Sequence, residues 1–156
     1  MGTQTFATPK EGFKQTQTLH LALMLGLVLM SSMLWLTIST DEVALEQTIL
    51  SQVLPIVLAG LIVVAFYLYK MRIANQGELT TLLEKVEHYR ASNIIKWALM
   101  EGAGLMSMLF YFFIEDGLLF PVIFGCALLG LAYSRPSIDQ FAEDYNLTNQ
   151  ESSELK

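Results

Sequence analysis

Four long apolar runs, separated by short polar clusters, set the plan of this chain. They cover Leu19 to Ser39, Ile49 to Tyr69, Asn93 to Ile114 and Gly117 to Ser134. A hydrocarbon core of roughly 30 Å is crossed by about 20 helical residues, with about 17 as the lower end. The first three runs meet that length and the fourth is short but sufficient. Backbone in lipid has to satisfy its own hydrogen bonds, so each run predicts a helix. Between the second and third runs, Leu79, Leu82, Leu83, Val86 and Tyr89 recur at steps of three and four residues. That periodicity predicts a helix entering the third run without a break, about 50 Å long in all. Asn75, Gln76 and Gly77 should end the helix before it, giving a hairpin that protrudes from the lipid.

The pattern thus predicts an all-α membrane protein with four transmembrane helices, arranged as two tandem parallel-repeat hairpins. The expected segments are a flexible arm (1–16), a first hairpin (17–74), a second hairpin with a polar helical extension (75–134), and a following segment (135–156). In that last segment Ile138, Phe141 and Tyr145 share one face of a short helix. It should rest on the membrane surface or on the hairpin. The residues after it, NQESSELK, read as disordered. Pro55 falls about one turn into the second helix, where a missing N–H is best tolerated. The stretches TDEVALEQT (40–48) and Glu115-Asp116-Gly117 read as the outer connections.

Composition agrees. Of 156 residues 53% are hydrophobic and 15% charged, less charge than a soluble domain carries. The Lys and Arg residues fall in the N-terminal arm, the 70–96 region, and after residue 134, whereas the outer connections hold Asp41, Glu42, Glu46, Glu115 and Asp116 with no base. The positive-inside rule places both ends of the chain and the middle connection in the cytoplasm. The expected location is the inner (cytoplasmic) membrane of a bacterial cell, multi-pass, with the first run retained as a span. The net charge of −6 is divided between both faces and gives no footprint for nucleic acid. The lone cysteine, Cys126, suits a membrane helix and suggests no redox role.

The two halves resemble each other. ALMLGLVLMS (22–31) and ALMEGAGLMS (98–107) align, pairing Gly26 with Gly102 and Ser31 with Ser107, and Leu54-Pro55-Ile56 aligns with Phe120-Pro121-Val122. Leu25 stands where the second copy has Glu101. An ionisable group at that depth costs a few kcal/mol and is by default a functional residue. A carboxyl there is expected to rest protonated and to load and lose its proton when water or a cation comes near. Alternatively it is an interhelical clasp. Ala98 and Gly102 form a small-xxx-small face, with Gly104 beside them, that admits a neighbouring helix, and Ser31, Ser32 and Ser107 are candidate partners for the carboxyl. Gly26 is the matching small residue of the first copy.

The stretch Asn75-Gln76-Gly77-Glu78, a polar helix, and then Ala98-Leu99-Met100-Glu101-Gly102-Ala103 resembles the second half of the ring-forming c subunit, or proteolipid, of rotary ATPases. The likeness covers at most Arg72 to Ile114. It implies a proton-translocating membrane subunit with Glu101 as the ion-carrying carboxylate. Through Glu101-Gly102-Ala103 and Arg135-Pro136 the chain also resembles small bacterial four-helix membrane proteins, which imply no activity. The alternative is a structural or accessory subunit of a larger complex. Either way the expected partners are lipid and further protein chains, as a homo-oligomer or within an assembly. No catalytic constellation, cofactor fingerprint or metal-ligand spacing occurs, with His20 and His88 each standing alone, so no enzyme, cofactor or metal site is expected.

Overall fold

The computed structural model describes residues 8–37, 49–77, 79–113 and 118–155. The outer connections at 40–48 and 115–117 lie outside the described residues, as do residues 1–7. Six helices follow in order: α1 (Pro9–Thr37), α2 (Ile49–Ala74), α3 (Leu82–Phe113), α4 (Leu119–Tyr133), α5 (Ile138–Asp144) and α6 (Asn149–Glu154).

Two of them, α1 and α2 from Gln52, are long and apolar enough to cross a membrane. A third crossing is reached if α4 and α5, bent by 84° at their junction, count as one. The chain is therefore all-α, with two to three candidate spans. The 32 residues of α3 reach about 48 Å, but Lys96 and Glu101 lower the hydropathy of its apolar half. The 15 described residues of α4 reach only about 22 Å. Large apolar side chains point outward, as lipid contact requires: Leu36 is 85% exposed, Leu129 72% and Ile56 73%.

The arrangement differs from two packed hairpins. α1, α2 and α4 each pack on α3, α4 also touches both α2 and α1, and α1 and α2 barely meet. α3 is thus a central post, and the order around it is α1, α4, α2, leaving one open sector between α1 and α2. Glycine sets the closest approach. A Cβ on Gly104 would lie 3.2 Å from Leu27 Cδ1 and 3.3 Å from Ala127 Cβ. Only a residue without a side chain lets α1 and α4 sit so near α3. Leu27, Ala65, Trp97, Met100 and Leu131 form the core at this level, and Leu58, Phe120 and Ile123 form a second cluster. Trp97 is fully buried.

A third cluster lies at the other end of α3 and joins Phe13, Tyr69, Leu82, Val86, Tyr89, Phe141, Tyr145 and Leu155. Two sequence expectations are corrected here. The flexible arm is helical from Pro9, and its Phe13 and Thr16 are buried. Residues 149–154 are ordered as α6, because Thr148 and Glu151 close a reciprocal capping box. A Lys85–Glu151 ion pair of 2.6 Å then fastens α6 to α3. The same box at Thr81 and Glu84 starts α3. Gly77, with φ of +68°, makes the turn out of α2 that a side chain would strain.

Candidate functional site

Glu101 stands two turns beyond Asn93 on α3. It is partly buried, and its Oε1 is 3.8 Å from where a Cβ on Gly26 would be. The absent side chain at Gly26 makes the space that the carboxyl occupies. The pair Gly26 and Glu101 therefore meets across α1 and α3 at one level. Among the described residues no hydrogen bond or ion pair reaches the Glu101 carboxyl.

The serines expected to clasp it are engaged elsewhere. Ser31 Oγ donates to Leu27 O and Ser32 Oγ to Val28 O, each at 2.8 Å. Ser107 Oγ donates to Gly104 O, also at 2.8 Å. Each hydroxyl closes on its own helix, the usual way a serine hides its polarity in an apolar span. The clasp within one chain is thus not formed.

The small residues divide between two faces. Ala98 and Gly102 are exposed with Ala91, Ile95 and Met106, along the sector of α3 that α1 and α2 leave open. Nothing lies within 4 Å of a Cβ placed on Gly102. Gly104 and Ser107 are buried on the opposite side. Glu101 lies at the α1 edge of the open sector. What the structure assembles is a carboxyl without a partner among the described residues, beside the uncovered Ala98 and Gly102.

A second polar centre lies in the N-terminal half of α3, where no local pattern predicts it. Lys96 is 2% exposed, and its Nζ rests 3.9 Å from the ring centroid of Tyr69. The Tyr69 hydroxyl donates to Asp144 Oδ2, so one side chain touches both the buried Lys96 and the Asp144 carboxylate. Around it, Arg72 Nε donates to Ser92 Oγ at 3.2 Å, and His88 Nδ1 is 2.6 Å from the Tyr145 hydroxyl. Burial, and next the charge of Asp144, pushes Tyr145 above the ordinary tyrosine range, so it is a neutral donor. His20 is also buried, with Nε2 2.8 Å from Leu131 O and its ring 4.9 Å from Trp97. Asp144 and Tyr145 reach Tyr69 and His88 because α5 returns onto α2 and α3. Within the described residues, no group of three or more His, Cys, Asp or Glu side chains could hold a metal ion.

No protein-family model, curated protein or solved structure matches the chain.

Proposed function

We propose that this chain is an integral membrane subunit that docks a helix of another polypeptide along the open sector of α3, with Glu101 as the hydrogen-bonding contact. The observation that carries this is the partnerless Glu101 carboxyl beside the uncovered Ala98 and Gly102. A polar group in lipid is stabilised by finding a partner, and no hydrogen bond from a described residue of the chain reaches this one. In this reading α1 to α4 all cross the bilayer. The start of α1, the turn at Gly77 and helices α5 and α6 lie in the cytoplasm, as the basic residues around them favour. The partner is a second copy of the chain or a different membrane subunit.

Proton carriage through Glu101 is the second reading. It is supported by the same carboxyl being open on one side, where a passing cation or water chain can reach it. The c-subunit likeness fits this reading through Glu101 alone, because packing of α1 and α2 on a shared post is unlike two ring-forming hairpins.

The test compares wild type with Glu101→Gln and Glu101→Leu, each purified from membranes in gentle detergent. Glutamine keeps the hydrogen bonding and leucine removes it, at a cost of about 1 kcal/mol per contact. Docking predicts that the mass of the complex falls in Glu101→Leu and persists in Glu101→Gln. An unchanged mass in Glu101→Leu overturns it. Carriage predicts dicyclohexylcarbodiimide labelling at Glu101 and loss of proton flux in Glu101→Gln.

A further inference from the structure

α1 and α4 touch only lightly, and two cavities lie one after the other along their seam. Its inner end is a cavity of about 560 Å³ lined by Lys14, Gln17, Thr18 and His20 from α1, and by Arg135 at the exit of α4. Above it Leu21 and Met24 face Ala132. One turn farther along α1, a second and apolar cavity of about 440 Å³ lies between Val28 and Trp35 on one side and Phe124 and Leu128 on the other. The α1 residues advance by three or four at each step, so they form one face of the helix. From Leu21 to Trp35 the wall is about 21 Å long, more than half of a hydrocarbon core of roughly 30 Å.

The charges at the inner end are one-signed. No carboxylate lines the cavity, and neither Lys14 nor Arg135 has an ion-pair partner among the described residues. The neutral groups are already used: Gln17 Nε2 donates to Pro136 O at 3.2 Å, Thr18 Oγ1 donates to Lys14 O at 3.1 Å, and His20 Nε2 is bonded to Leu131 O. Two cations therefore stand free at the mouth of an apolar channel, where α1 changes from polar to apolar sequence.

We propose that this seam binds one anionic phospholipid, its phosphate between Lys14 and Arg135 and an acyl chain against Leu21, Met24 and Val28. An anionic headgroup matches the charge of the mouth, and a single acyl chain matches the channel behind it. Free phosphate satisfies the first requirement and leaves the apolar wall uncovered. The inference rests on the membrane reading and is independent of Glu101.

Native mass spectrometry of the full chain, offered equal amounts of phosphatidylglycerol and phosphatidylcholine, tests it. Wild type should retain one phosphatidylglycerol in preference, and excess inorganic phosphate should not displace it. Each cation near a membrane surface contributes about fivefold, so Lys14→Gln with Arg135→Gln should weaken the preference on the order of 25-fold. Met24→Trp fills the channel without altering charge and should also weaken retention. Lys70→Gln, an exposed base on α2 outside the seam, should leave the preference intact, as should Glu101→Leu even where it disrupts the complex. Equal retention of both lipids, displacement by phosphate, or an equal loss in Lys70→Gln overturns the proposal.

Discussion

Protonation of His88 is disfavoured where the ring packs, with its Nδ1 2.6 Å from the Tyr145 hydroxyl. Burial, and next the charge of Arg72, holds the His88 pKa below its ordinary 6.5. Between the folded value and 6.5 the unfolded state binds more protons. The contribution is therefore complete above 6.5 and is lost as pH falls through the folded value. Glu151 has the same sign lower on the scale. Its hydrogen bond from Lys85, and next the Thr148 amide, hold it below 4.5, so its contribution is lost only under stronger acid. Acid should thus loosen α5 before α6. Amide hydrogen exchange across residues 138–155, corrected for intrinsic rates, should show protection falling first around Tyr145. His88→Phe should remove that first step. Protection at Tyr145 that does not change from neutral pH to about pH 5 would count against this account.

Two glycines in one helical turn of α3 have opposite roles. Residues two apart on a helix stand about 200° apart around it, so Gly104 faces α1 and α4 while Gly102 faces the open sector. Gly104→Ala puts a methyl group against Ala127 Cβ, which is fixed to its backbone and cannot yield. The helices must spread, at a cost of about 1–3 kcal/mol. Gly102→Ala meets nothing and gains helix propensity of up to ~1 kcal/mol. Thermal unfolding in detergent should therefore place Gly104→Ala below wild type and Gly102→Ala level with it or above. The reverse order would refute the packing. Gly104 was legible as a packing residue, but its face was not. Apolar runs announce that helices exist, and their periodicity is too uniform to say which helix packs on which. The central place of α3 depended on that choice. The caps Thr81-x-x-Glu84 and Thr148-x-x-Glu151 were legible in principle, and the second would have shown that 149–154 is ordered. Lys96, Tyr69 and Asp144 were not, since the shared face of Ile138, Phe141 and Tyr145 allowed α5 to rest on the hairpin without saying which polar side chains it would meet there.

At the scale of the molecule, the basic residues predict the side on which each end lies. Thr80 and Leu118 are exposed at opposite ends of the bundle. In a variant lacking Cys126, Leu118→Cys should react with an impermeant maleimide added to intact cells, and Thr80→Cys should react only after the membrane is opened. Reaction of Thr80→Cys from outside would invert the topology. The cluster that Phe141, Tyr145 and Leu155 complete also has a bearing on how the protein is made. Chains emerge from the ribosome N-terminal end first, at about 5–20 residues per second. Phe13, Tyr69 and Tyr89 are thus translated well before the aromatic residues that cover them. In the proposed topology, while α4 is still inserting, the nascent chain shows the cytosol an uncovered aromatic surface and a Lys96 without its Asp144. A transcript truncated after Ser134 would leave that surface permanently open, and the product would be inserted yet marked for quality-control proteolysis.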